Sequence, residues 1–189
     1  MSRGAVAIVP ATLRDVSYIV ANLRPDDKSE IQCQVPPGAK PAAIAASGLA
    51  AGEAFVVLRS GQPSGAFGFA PISEGVLSAW SYGACGFERC IPAVTRFVFR
   101  ELVDAWKTRG IRRIEARSIE SHASAHRWLE ATGARRRCVL EQWGRNGERF
   151  LLYEWVRGGV PASVYRRWGH VLQYQNRDTE DNDAATGQT

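Results

Sequence analysis

The stretch 76–132 constrains this chain most, because the period of its apolar residues changes twice. Val76 to Tyr82 reads as a strand. Ile91, Val94, Val98, Leu102 and Ala105 then recur at helical spacing along Ile91 to Arg109. After Gly110, Ile114, Ala116 and Ser118 alternate with Arg113, Glu115 and Arg117. A period of two belongs to a strand and one near 3.6 to a helix. A strand, a long helix and a second strand make a crossover, the connection that parallel neighbours in a sheet require. Pro92 suits a first helical turn, where its missing N–H costs no hydrogen bond, and Gly110 suits the left-handed residue that ends a helix. The expected class is therefore α/β with a mixed sheet.

The flanks add elements on both sides. Val6 to Pro10 forms a first strand, and Thr12 with Asp15 makes a capping-box-like start for a helix with Leu13, Val16, Ile19, Val20 and Leu23 on one face. Pro25 opens a second helix to about Val35, which Pro36-Pro37-Gly38 ends, and Pro41 to Ala51 forms a third. Strands Ala54 to Arg59 and Gly65 to Pro71 are expected to join through Gly61-Gln62-Pro63. Downstream, Ser121 caps a helix to Thr132 with Ala125, Trp128 and Leu129 inward, and Gly133 closes it. A last hairpin, Cys138 to Trp143 and Arg149 to Val156, turns at Asn146-Gly147.

Residues 1–157 are thus expected to form one domain and 158–189 a C-terminal extension. After Gly158-Gly159, Val160 to Tyr174 forms a short amphipathic helix whose Val164, Trp168, Val171 and Leu172 need an apolar partner. Gln175 to Thr189 is acidic and polar, and reads as disordered. The apolar fraction, 45%, supports one core, and no apolar run approaches the roughly 20 residues of a membrane span. Without a charged-then-apolar leader, the chain reads as made inside the cell. Cys33, Cys85, Cys90 and Cys138 form no C-x-x-C pair, which excludes zinc-ribbon and thioredoxin-type spacing. The net charge of +5 comes mainly from Arg112-Arg113, Arg135-Arg136-Arg137 and Arg166-Arg167. It permits nucleic-acid contact, but the aromatic interleaving of a base-stacking platform is weak beside these arginines.

The order of elements, with Ala11-Thr12-Leu13-Arg14-Asp15, Lys107 to Ile114 and Arg127-Trp128-Leu129-Glu130-Ala131-Thr132-Gly133, resembles the GNAT acetyltransferase fold over about residues 6–156. More narrowly, Leu23-Arg24-Pro25-Asp26-Asp27-Lys28-Ser29-Glu30 and Ala125-His126-Arg127-Trp128-Leu129 resemble a phage family of acetyltransferase-like internal virion proteins of podoviruses. The resemblance implies a central mixed sheet with helices on both faces and, in catalytic members, an Arg/Gln-x-x-Gly-x-Gly/Ala loop. That loop's N–H groups and helix dipole hold the pyrophosphate of acetyl-CoA.

Counted back from Gly110, the matching residues here are Cys90, Ile91, Pro92, Ala93, Val94 and Thr95, with no glycine and one N–H donor removed. Gly83 and Gly86 lie just upstream and are available to a shifted loop. The tyrosine that many members use to protonate the departing thiolate corresponds to Leu129, which carries no proton. His122 and His126 lie one turn apart with Glu120 as the nearest carboxylate, and read as exposed histidines on a helix surface. Trp80, Tyr82, Trp128, Trp143, Tyr153 and Trp155 read as packing residues. The domain is accordingly expected to be a non-catalytic module without cofactor or metal, assembled in multiple copies with other virion proteins after synthesis in the host cytoplasm. The alternative is an acetyl-CoA-dependent N-acyltransferase with an atypical cofactor loop.

Overall fold

The computed structural model describes residues 5–169. Its elements run β1 Val6–Pro10, α1 Leu13–Ala21, α2 Pro25–Gln32, α3 Pro41–Ala50, β2 Glu53–Arg59, β3 Gln62–Ser73 and β4 Val76–Gly83. They continue with α4 Ile91–Phe97, a π turn Val98–Leu102, α5 Val103–Thr108, β5 Arg113–Ile119, α6 Ala123–Ala131, β6 Arg135–Leu140, β7 Phe150–Val156 and α7 Ala162–Trp168. The strands form a seven-stranded sheet in the order β1-β2-β3-β4-β5-β7-β6. Every neighbouring pair is antiparallel except β4 and β5, the two joined by the long helix. The mixed sheet expected from the crossover is thus present, with helices on both faces.

On one face, Val16, Ile19 and Val20 of α1 and Ala45 of α3 pack on Val56 and Ala66. Val94 and Leu102 of the long helix and Trp106 of α5 cover Val57, Phe67, Phe69 and Leu77 on the other. Beside them, Leu129 of α6 covers Ala116, Leu151 and Tyr153. Phe55, Phe67, Phe69, Phe97 and Trp106 meet with ring centroids 4.5–6.2 Å apart, mostly edge to face. Such pairs add roughly 0.5–1.5 kcal/mol each beyond their buried area. The Trp80 indole comes close to both α3 and β3 because residues 48 and 68 are glycines. A Cβ on Gly68 would stand 2.5 Å from the indole.

The capping residues behave as their chemistry requires. Thr12 Oγ1 accepts from the Asp15 N–H and donates to the Asp15 carboxylate. Other expectations are corrected. The β2–β3 hairpin turns at Ser60-Gly61, both at positive φ, because Arg59 pairs directly with Gln62. Asn146-Gly147 sits inside a longer loop, since β6 and β7 stop pairing at Leu140↔Phe150, and β6 starts three residues early, at Arg135. His122, not Ser121, precedes α6, without a side-chain cap. Leu13 is 49% exposed at the helix start, and Leu23 leaves α1 to bridge Ala84.

The long helix holds the most consequential departure. An inserted π residue rotates the following turn by about 100°. The inward stripe therefore passes from Ala105, which is exposed, to Trp106, which is 5% exposed and donates to Glu53.

Candidate functional site

β4 and β5 pair only from Val76↔Arg113 to Ala79↔Ala116. Beyond that point β4 stays on β3 up to Gly83, while β5 stays on β7 up to Ile119. The sheet therefore splits between its two parallel strands, and the facing edges of 80–83 and 117–119 keep N–H and C=O groups without ladder partners. A cavity of about 430 Å³ runs through the split, from Asp27, Glu30 and His122 on one side to Thr95, Phe99 and Trp128 on the other.

The first side is built by α2. Pro25 fixes the backbone at the first helical position, and the Arg24 N–H donates to the Gly83 carbonyl at 3.0 Å, tying the start of α2 to the end of β4. Asp27 then points inward: its carboxylate accepts from the Gly83 N–H at 2.7 Å and pairs with Arg24. One turn later, Glu30 accepts on Oε2 from Ser118 Oγ at 2.9 Å and the Ile119 N–H at 3.2 Å, and contacts His122 Nδ1 at 2.8 Å. All three contacts fall on one oxygen, leaving Oε1 without a hydrogen-bond partner among the described residues.

His122 is 4% exposed, and its Nε2 lies 3.8 Å from Asp27 with no hydrogen-bond partner among the described residues. Burial alone would lower its pKa. The Glu30 hydrogen bond and the charges of Glu30 and Asp27 outweigh burial and hold the imidazole above its ordinary value. With carboxylate oxygens facing both nitrogens, the ring suits the imidazolium form. Asp27 is pushed up by burial against the lowering effect of Arg24. The reading of His122 and His126 as exposed is thus corrected, since His126 is half-buried, contacts the Ile119 carbonyl and is lowered by burial. Glu120, the carboxylate expected beside them, pairs instead with Arg149. Asp27 and Glu30 were missed as site residues. The available signal was a helix, Pro25–Gln32, with Ile31 as its only buried apolar residue, so that polar side chains had to share its inner face.

At the start of the long helix, Cys90 and Val94 are fully buried and Thr95 is 2% exposed. The N–H groups of Phe87, Arg89, Cys90 and Ala93 all donate to carbonyls within the turn. Within Cys90 to Thr95, the Cys90, Ala93 and Val94 N–H groups are thus engaged and Pro92 has none. Arg89 lies in the turn, and Arg59 stands beside Gly86, so the charge available to an anion comes from side chains. Thr95 accepts from Trp128 Nε1 at 3.0 Å and donates to the Ile91 carbonyl at 2.8 Å, while Leu129 is buried. Trp80 and Tyr82, read as packing residues, both pack at 4.8 Å and line the cavity. Trp128, Trp143 and Trp155 also line it, whereas Tyr153 is buried and donates to Glu130.

Of the four apolar residues assigned to the extension, Val164 faces Gly133, and Trp168 ends α7 half-buried. Tyr165 packs on Phe99 at 5.6 Å, so α7 lies against its own domain. Val171, Leu172 and the polar segment from Gln175 lie outside the described residues. Among the arginine clusters, Arg113 and Arg137 both pair with Glu154, at 2.7 and 2.9 Å. No group of three metal-ligating side chains occurs among the described residues.

No protein-family model and no curated protein sequence matches the chain. Solved structures do. A GCN5-related N-acetyltransferase from Brucella melitensis superposes with TM-score 0.65 at 17% identity, over 88% of this chain and 82% of that one. Mycobacterium smegmatis RimJ in complex with CoA-disulfide gives 0.63 at 17%, over 87% and 88%. The yncA protein of Salmonella typhimurium with its cofactor acetyl-CoA gives 0.59 at 13%, over 80% and 94%. The GNAT acetyltransferase fold is thereby established. Two expectations are corrected by the same finding: a non-catalytic module and a domain without cofactor do not stand against structural neighbours several of which are described as N-acetyltransferases and two of which hold CoA-disulfide or acetyl-CoA. Reading the glycine-free turn as decisive overlooked the split between β4 and β5, which no local sequence pattern announces.

Proposed function

We propose that this domain is an acyl-CoA-dependent N-acyltransferase. The observation that carries the reading is the split between β4 and β5, which opens a cavity reaching the half-buried Glu30 carboxylate, whose Oε1 is free to face it. An extended thioester arm can bond to the strand edges left open at 80–82 and 117–118, much as an added strand would. Its phosphates would lie by Arg59 and Arg89, held by charge more than by backbone donors.

Acyl-CoA supplies an acyl group activated as a thioester. An alkyl ammonium, with a pKa near 10, must lose a proton before its nitrogen can attack that carbon. Glu30 is the proposed acceptor of this proton, oriented by Ser118, Ile119 N–H and His122. The nitrogen–carbon bond forms, the carbon–sulfur bond breaks, and CoA leaves as thiolate. With leucine at 129, that thiolate takes its proton from water or from the Tyr82 phenol, which lines the same cavity. Virion assembly, the other expectation, has no structural observation in its favour.

The test is a titration of acetyl-CoA into the full chain. Ligand at a hundred times Kd stabilises by about 2.7 kcal/mol, a melting shift of roughly 5–10 °C for a domain of this size. Absence of any saturable shift, together with no amine-dependent release of CoA thiol, would refute the reading.

A further inference from the structure

The cavity does not end at the split. It continues beneath the paired halves of β4 and β5, between the long helix and α6, as far as Ile114, Trp155 and Tyr165. We infer that this continuation is an acyl pocket, and that the donor carries a chain of about six to eight carbons instead of acetyl. The inference rests on the acyltransferase reading above.

The argument begins with hydrogen bonds. The amides of a CoA arm need partners, and the strand edges at 80–82 and 117–118 offer them, since the N–H and C=O groups of Gly83 and Ile119 are already bonded to Asp27, Arg24, Glu30 and the β5–α6 turn. Beneath Val76 to Ala79 the ladder is closed, so no strand edge is open there. Lys107, Arg112 and Arg157 also line the cavity, and the uncharged polar side chains between them and the split are engaged. Thr95 is bound to Ile91 and Trp128, Thr132 Oγ1 donates to the Leu129 carbonyl, and Trp155 Nε1 donates to the Thr132 carbonyl. Placing an amide in such surroundings is costly, whereas an alkyl chain loses nothing there.

The walls fit the same occupant. Val98 and Phe99 stand on the π turn, the one place where the long helix is widened, and Val103 follows on the next turn. A π turn inserted into a helix is often found at a ligand site. Val160 and Tyr165 form the roof, with Tyr165 packed on Phe99. An acetyl group needs on the order of 60 Å³, two water volumes, and so would leave this part of the cavity empty. The enclosure accounts for α7 lying against the domain, and it places the chain's end beside the long helix, away from the amine.

The experiment compares the binding of CoA, acetyl-CoA and octanoyl-CoA to the full chain by calorimetry, with Val98→Trp and Val160→Trp as variants that fill the pocket from its wall and its roof. Each buried methylene is worth a factor of about four, so octanoyl-CoA should bind at least tenfold more tightly than acetyl-CoA. Either variant that melts normally should collapse that ratio. Equal affinity for the two thioesters overturns the acyl pocket and leaves the acyltransferase reading intact. Failure of all three compounds to bind removes the acyltransferase reading, and the pocket with it. An octanoyl preference that survives in both variants overturns the location.

Discussion

Replacing His122 with alanine should destabilise the domain by an amount that depends on pH. The imidazole side chain is 5% exposed, with Glu30 at 2.8 Å and Asp27 at 3.8 Å, and its removal takes the facing cation from both carboxylates, leaving Asp27 paired with Arg24 and Glu30 with its hydrogen bonds from Ser118 and the Ile119 N–H. A charge-assisted hydrogen bond contributes about 1.5–3 kcal/mol, and leaving a buried charge without its partner costs about 3–5. A loss of about 2–4 kcal/mol at pH 6 follows, or roughly 5–15 °C in Tm. The folded pKa of His122 lies above its ordinary 6.5. The stabilisation is therefore fully present below pH 6.5 and is lost as pH rises through the folded value. Urea unfolding of both proteins from pH 5.5 to 8.5 gives the difference directly, with His126 common to the two. A difference that is flat across this range, or smaller than about 1 kcal/mol at pH 6, would refute the assignment of an imidazolium bridging α2 and the β5–α6 turn.

Glu30→Gln keeps the shape of the side chain and should lower amine acylation by about a hundredfold or more while acyl-CoA binding persists, since a positioned base contributes roughly 10²–10⁴. Release of CoA thiol at saturating donor measures it. Gly68→Ala places a methyl 2.5 Å from the Trp80 ring and 2.7 Å from the Glu53 carbonyl, and overpacking of that kind costs about 1–3 kcal/mol in unfolding free energy. Thr12→Ala removes the cap over the Asp15 N–H and should cost about 1 kcal/mol by the same measurement, with no change in donor binding.

Much of the scaffold was legible in local chemistry. Thr12-x-x-Asp15, the proline at 25, the proline in the first turn of the long helix and Gly110 are short-range signals whose effect reaches only a turn or two, so tertiary packing had little to override. The turn Asn146-Gly147 misled because strand pairing had already ended at Leu140, and the loop then had to reach α2, where the Arg145 N–H donates to the Cys33 carbonyl at 2.7 Å. Ala105 misled because one π residue changes the helical phase without leaving a mark in the apolar pattern.

The site followed the opposite rule. Asp27 and Glu30 carry no signal that separates them from Asp26 and Lys28 on the same short helix, and His122 lies 92 positions beyond Glu30. The ties of Leu23, Arg24 and Asp27 to Gly83 and Ala84 hold α2 over the split and bring the three together. The chain's own sequence determined the elements and their order, because helix and strand formation depends on neighbours within a few residues. Tertiary structure alone decided where two parallel strands part, which carboxylate in the cavity keeps a free oxygen, and how far the cavity runs, because each depends on groups that meet only after the sheet has closed around them.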